Sequence, residues 1–383
     1  MAIPSVSNFM PTRAAALARA DAIEPARYAR TRNFLSGDVT RLSPYLTHGL
    51  ISIPELLASI HARRPLSWED KLAFEFGWRE YFHHVWQRLG EDIWREPHAP
   101  PASRYADAVP EDIRTASTGV AIIDQQVREL YRTGYLHNHA RMWIASYVVH
   151  LRKVSWQAGA QWMHSHLLDG DLASNTLSWQ WVAGTWTGKP YLFNAENVER
   201  YAPGVDCAGS VIDTTYERLD VIARSDKAAL ASKPLSTDAV AEPERFAAPP
   251  AEWANAASNA AQEPEWLMHP WSLHLPDARA AIGIINTDFH ALYPWSLQRW
   301  QFVMTAMQVR CGNVIVGSTD ELTAMLTGKQ MAAISTLNPF YNELLARVAP
   351  NAQPAPRAFA NPTMLKRSFT SFWNQVRREK FPA

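Results

Sequence analysis

Residues 169–186 read DGDLASNTLSWQWVAGTW, and this stretch decides how the chain is read. Asp169 and Asp171 flank Gly170. Asn175 follows four residues after the second carboxylate, and Trp179, Trp181 and Trp186 come soon after. Carboxylates this close need donors or cations to stay ionised in a partly buried site. Tryptophans bury large area and stack on flat aromatic ligands. A planar cofactor with polar edges satisfies both demands.

Outward from this stretch, the composition is that of a globular chain with room for two or three domains. It holds 383 residues, 47% hydrophobic and 19% charged, with zero formal net charge. Zero net charge argues against a strongly basic nucleic-acid binder and leaves a local patch possible. Cys207 and Cys311 stand far apart without metal spacing, which argues against a disulfide framework or an iron–sulfur cluster. That usage, with no apolar run of membrane-spanning length and no secretory h-region, leads us to expect a cytoplasmic protein.

The pattern upstream is helical. Ala14 to Ala20 reads as a helix on propensity. Val39 to Ser43 reads as a loop-to-helix transition, where hydroxyls and free amides suit a phosphate and an ordinary N-cap is the simpler reading. Ser67 to Leu89 reads as a helix with Glu75, Trp78, Arg79 and Phe82 on one face, and a Glu75–Arg79 salt bridge is the common use of that spacing. Ile122 to Tyr131, His137 to His150 and Trp156 to Asp171 read as further helices. Asn138, Arg141, Met142 and Ala145 share a face of the second. Arg141 is the natural partner for Asp169. His137, His139, His164 and His166 lack the spacing of a metal site and are read as core or surface histidines.

Downstream the pattern changes. Tyr216 to Ala231 reads as a helix and Ser232 to Pro264 as a linker broken by prolines. Then follow a strand at Ala281–Ile285, a helix at Ser296–Val309, a strand at Asn313–Val316 and a helix at Thr319–Leu326 begun by a Thr-x-Glu cap. A strand at Met331–Thr336 and a helix at Pro339–Val348 complete a βαβα series, which implies a small parallel sheet. Leu365 to Lys380 reads as an amphipathic basic helix that packs on its own domain.

Four blocks in order carry a resemblance: 39–46 (VTRLSPYL), 74–80 (FEFGWRE), 135–142 (YLHNHARM) and 169–186 itself. Together they resemble the flavin-cradling segments of the photolyase/cryptochrome family, over roughly residues 27–205. The resemblance implies a mainly α fold with an all-helical FAD-binding domain over 1–205; the composition and pattern beyond it give an extension and Pro/Ala-rich linker over 206–264 and a small α/β domain with a basic C-terminal helix over 265–383. It implies non-covalent FAD held by Tyr28, Val39, Thr40, Arg41, Leu42, Ser43, Arg79, Asn138, Arg141, Asp169, Asp171 and Asn175. Val39 stands where relatives often have a hydroxyl residue.

The same resemblance assigns roles. Glu75 matches the glutamate that bonds a damaged pyrimidine pair, with Trp78, Asn138, Met142 and Trp181 around it. Asn138 with Met142 is the pattern of enzymes acting on cyclobutane dimers. Trp179 and Trp156 match the inner and middle members of a photoreduction chain, Asn175 the residue facing flavin N5. Ser103 falls where relatives often carry the outer tryptophan, which puts the usual three-membered chain in question. A phosphate-contacting arginine common in the 185–194 loop has no counterpart, and His139 replaces another.

Two functions follow from the resemblance. One is a lyase: blue-light-driven, FAD-dependent repair of cyclobutane pyrimidine dimers in DNA. The other is a cryptochrome-like photoreceptor using the same flavin. Relatives carry an antenna-binding α/β domain before the flavin domain, and this chain is expected to lack it. Residues 265–383 resemble a reduced counterpart of that domain, leaving open an antenna chromophore, a protein partner or neither.

Overall fold

The structure is a computed structural model that describes residues 9–229, 238–254, 265–275, 280–329 and 331–382. The chain begins with α1 (Arg13–Asp21), α2 (Pro25–Thr31), α3 (Ser43–Thr47) and α4 (Ile53–His61). The long α5 (Lys71–Leu89) ends in a 3-10 turn at Gly90–Trp94. Next come α6 (Glu111–Arg114), α7 (Ala121–Thr133) and α8 (Asn138–Ser146), which widens into a π turn over Tyr147–Leu151. The helices α9 (Trp156–His166), α10 (Leu172–Ala183), α11 (Ala195–Tyr201) and α12 (Tyr216–Arg224) follow.

Local chemistry sets several of these boundaries. Ser52 and Glu55 form a reciprocal capping box at the start of α4, satisfying amides that no helical carbonyl reaches. Asp70 accepts from the Ser67 N–H and hydroxyl at 2.7 and 3.0 Å, so residues 67–70 make a turn and the expected helix starts later, at Lys71. The helix expected to run to Asp171 stops at His166, because Asp171 is needed as the N-cap of α10. Tyr216–Ala231 is helical only to Arg224, and Ala231 lies outside the described residues.

Beyond α12 lie β1 (Arg245–Phe246), α13 (Ala251–Ala254), β2 (Trp266–Met268), β3 (Ala281–Asn286), α14 (Thr287–Leu292), β4 (Trp295–Ser296) and α15 (Leu297–Gln308). The chain continues with β5 (Cys311–Gly317), α16 (Thr319–Leu326), β6 (Ala332–Ala333), α17 (Tyr341–Val348) and α18 (Phe369–Val376). The expected parallel sheet is present, with strand order β5-β3-β2-β6 and every pairing parallel. All six residues of β3 are buried, as a strand covered on both faces must be.

Several expectations are corrected here. The segment read as a linker contains, in its described part, β1 and α13; β1 pairs antiparallel with β4. The rest of that segment lies outside the described residues. Trp266–Met268 is a strand that its brevity hid. The Met331–Thr336 strand shrinks to two paired residues. Ser318, not Thr319, caps α16, in a box with Glu321.

The C-terminal helix, expected to pack on its own domain, instead makes aromatic contacts with the helical part. It lies on α5, and the segment before it is pinned there by polar contacts. Glu80 of α5 is buried and accepts from the N–H groups of Ala358 and Phe359 at 2.6 and 3.1 Å. The His84 ring meets Asn361 at 2.7 Å, and Arg88 donates to the carbonyls of Pro362 and Thr363. Above these contacts, Trp78 and Phe369 stack at 4.0 Å between ring centroids, 10° from parallel. Residues 357–381 thus form a strap along α5.

The apolar interior forms two clusters that ignore chain order. One joins α1, α4 and α5 to the sheet, α15, α17 and α18. The other gathers α7 to α9, the far end of α10 and residues up to Leu219. Gly77 lies where the strap touches α5, and a Cβ there would stand 2.4 Å from the Trp373 ring. Gly77→Ala is expected to lift α18 and cost about 1–3 kcal/mol by overpacking; denaturant unfolding of the full chain measures it, and an unchanged midpoint would refute the contact.

Candidate functional site

The site is built around the turn between α9 and α10. Asp169 and Asp171 are both buried, at 6% and 4% exposure. Each has recruited cations from a different element. Arg141 of α8 grips Asp169 with one guanidinium nitrogen at 2.7 and 3.0 Å from its two oxygens, so the pair expected from sequence is formed. Asp171 accepts from the Ser174 N–H at 2.9 Å, meets His83 Nε2 at 2.9 Å and lies 3.9 Å from Arg79. Burial alone would raise the Asp171 pKa, but the charges of His83 and Arg79 outweigh it and hold the carboxyl well below the usual range.

Arg79 also donates to Thr47 Oγ1 at 3.1 Å, and the Thr47 hydroxyl donates to the Asp169 carbonyl at 3.2 Å. These bonds join α3, α5 and the turn. Arg41 and Arg141 both lie over the Tyr135 ring, at 6.0 and 5.5 Å, a cation–π arrangement that gathers positive charge beside Asp169. Arg41 itself is exposed and left-handed, with φ +49°, a conformation non-glycine residues seldom adopt away from functional sites. Thr40 accepts from the Leu42 N–H at 3.4 Å, while Val39 is half-buried. The ordinary N-cap reading of this block does not hold: Leu42 is the N-cap of α3 and makes no side-chain cap bond, and Ser43 is its first residue.

A second cluster adjoins the first. Glu75 pairs with Arg32 at 2.9 Å and Lys71 at 2.8 Å, not with Arg79 as the one-turn spacing suggested. Tyr28 lies beside Arg32, and burial with the nearby Glu75 charge pushes its phenol up to about 12. Asn138 is exposed at the start of α8, its amide 3.4 Å from Met142 Sδ one turn on. Trp181 is 37% exposed against Tyr191. Trp78 is half-buried under Phe369.

Asn175 donates to the Ala160 carbonyl at 2.9 Å, tying α10 to α9. Trp179 is buried against Gly159, where a Cβ would stand 2.3 Å from its ring. Trp156, three residues before that glycine, donates to Glu96 at 2.8 Å and stacks on Trp94 at 5.8 Å and 9°. Trp94 in turn stacks on Tyr293 at 6.3 Å and 20°. Ser103 is bonded to Asp226.

Sequence reasoning missed Arg32, His83, Trp94, Tyr293 and Arg299. His83 was within reach, since it stands one turn beyond Arg79 on the face of α5 already chosen. The others depend on chain reversals that no local pattern encodes.

The depressed Asp171 pKa has a consequence. Its folded value lies below the ordinary carboxylate value of about 4. The stabilisation is therefore complete above that value and lost as pH falls through the folded pKa. Asp171→Asn should cost about 3 kcal/mol at pH 7. The gap in melting temperature between the wild type and this variant should narrow on acidification; a gap that stays constant would show that the charge is not the source.

The profile of the FAD binding domain of DNA photolyase matches residues 72–265, just over half of the chain. A deoxyribodipyrimidine photo-lyase of Streptomyces griseus is 34% identical over 165 residues, which are 42% of this chain and 36% of that one. A cryptochrome DASH, chloroplastic/mitochondrial, of Ostreococcus tauri is 32% identical over 205 residues, 51% of this chain and 37% of that one. The solved structure of a Synechocystis sp. cryptochrome aligns at a TM-score of 0.45 and 27% identity, covering 52% of this chain and 45% of that one. The matched curated relatives are longer: this chain spans 34% to 42% of their length. Among the described residues no helix is long and apolar enough to cross a membrane. The Asp169–Asp171 turn, with Arg141, Arg79 and His83 around it, lies inside the matched span, and the chain belongs to the family of the FAD-binding domain of DNA photolyase.

Proposed function

We propose that the chain binds FAD at the Asp169–Asp171 turn and repairs cyclobutane pyrimidine dimers in DNA under blue light. The donor set fits such a cofactor. Arg41, Arg79 and Arg141 gather positive charge suited to a diphosphate, and Ser174 Oγ is buried with no partner among the described residues. Arg141, Asp169 and Asn175 would hold the flat ring system. Thr40, Arg41, Ser43 and Arg79 would hold the phosphates, and Tyr28 would flank them. When bound and reduced, FAD supplies light-driven one-electron chemistry, and the protein supplies orientation and exclusion of water.

The observation that carries the repair reading is the pair Asn138 and Met142, side by side on the accessible face of α8. Asparagine with methionine is the pattern of dimer repair. Glu75 would hold a hydrogen bond to the dimer carbonyl, with Trp78 and Trp181 as apolar walls for the dimer flipped out of the duplex. Trp179 and Trp156 would relay electrons inward to the flavin.

A second reading, a blue-light receptor, has its own support. The strap stacks Phe369 on Trp78, and Glu75 already carries two cations. A dimer must displace Phe369 to reach that ring. DNA carrying the dimer is thus the proposed partner, with a protein partner for residues 265–383 proposed beside it.

The deciding assay uses the reduced full chain, loaded with FAD, on DNA containing thymine dimers, in blue light and in darkness. Recovery of thymine absorbance in light alone, abolished by Glu75→Ala, is the expected result. No repair by a protein whose bound FAD still photoreduces would favour the receptor. Failure to bind FAD would sink both.

A further inference from the structure

Arg299 is the least expected residue in the molecule. It sits on α15, beyond the matched span, and is fully buried. Its guanidinium donates to two carbonyls of the flavin-site turn, His164 O at 3.0 Å and Gly170 O. Its carbon atom lies 3.8 Å over the Trp295 ring. No carboxylate oxygen among the described residues comes within ion-pair distance of it. Burial pulls the guanidinium down to about 9, while the charges of Asp169 and Asp171 pull the other way.

A buried cation of this kind is a poor way to gain stability. An aliphatic side chain of similar volume would fill the space at lower desolvation cost. What an aliphatic residue cannot do is hold two carbonyls and place positive charge behind two carboxylates. The approach is close enough to constrain the partner: a Cβ on Gly170 would stand 2.4 Å from Arg299 Nη1 and 2.7 Å from the His164 carbonyl. The glycine between the two aspartates is therefore the seat for this guanidinium.

Resting on the reading that FAD binds at this turn, we infer that Arg299 is a positioning residue of the flavin site, supplied by the sheet-bearing part of the chain. It anchors the Gly170 carbonyl from behind, so that Asp169 and Asp171 face opposite partners, Arg141 on one side and His83 with Arg79 on the other. The sheet-bearing part thereby completes the site even though the described contacts place none of its side chains on either carboxylate.

The test uses the full chain, stripped of FAD and refilled, with unfolding of the FAD-free protein measured in parallel. Arg299→Met keeps volume and removes charge and donors. It is expected to weaken FAD binding by about tenfold or more, equivalent to about 1.4 kcal/mol, and to alter the visible circular dichroism of the bound flavin. Arg299→Lys, which keeps the charge and some donors, should recover most of the affinity. Gly170→Ala approaches the same contact from the other side and should weaken binding likewise. If Arg299→Met does not fold, Gly170→Ala decides. Wild-type affinity and an unchanged flavin spectrum in whichever of these two folds would overturn the inference, even with lowered stability. A wild-type chain that binds no FAD would instead overturn the reading beneath it.

Discussion

Two carboxylates two residues apart, both buried, are the constraint on which this structure depends. Taken out of water without compensation, Asp169 and Asp171 would prefer to be protonated. Compensation comes from separate elements, Arg141 on α8 and His83 with Arg79 on α5, while Arg299 on α15 holds the Gly170 carbonyl between them. None of these is close to the turn in sequence. Satisfying one short turn therefore fixes how helices hundreds of residues apart are set against each other. The apolar packing divides differently: the larger core cluster runs through α5 and α15, while α8 packs in the other, so the ionic contacts are what tie the two clusters together at the turn.

This explains what could be read from the chain and what could not. Arg141 and Asp169 are legible as partners because both stand in dense, chemically biased segments. The strands β3 and β5 are legible because continuous apolar runs bounded by turns have few other uses. The Glu75–Arg79 pairing was a fair reading of an isolated helix, where a residue one turn away is the only partner to hand. In the folded chain Arg32 arrives from α2, and Arg79 turns to Thr47 and Asp171. Tertiary contacts outbid the local pair in both directions. Short elements such as β1, β2 and β4 carry too few residues for any period, and only their pairing defines them.

The sheet-bearing part does more than follow the helical part. The segment just after β2 meets the end of α3 through His48, whose ring nitrogens lie 2.6 and 2.7 Å from the carbonyls of Pro270 and Leu168. Burial holds that imidazole down to about 3, so near neutral pH the ring is uncharged and donates to one of the two carbonyls. Where strand order would place a ligand crevice in an open parallel sheet, Trp271 and Tyr341 are packed edge to face, 5.0 Å apart. The crevice is given over to joining the two parts. Tyr293 extends the aromatic stack of Trp156 and Trp94 across the same boundary.

The strap over α5 bears on how the chain is made. Residues of α5 such as Phe74, Trp78 and Tyr81 leave the ribosome nearly 300 residues before the phenylalanines and tryptophan of α18 that cover them. Domains generally fold as synthesis proceeds, and contacts at long sequence separation form late. A nascent α5 therefore presents an aromatic ridge, and Glu80 a carboxylate without its backbone donors, until the strap arrives. Chaperones that bind exposed aromatic stretches would meet this helix first, and its release would mark completion of the fold.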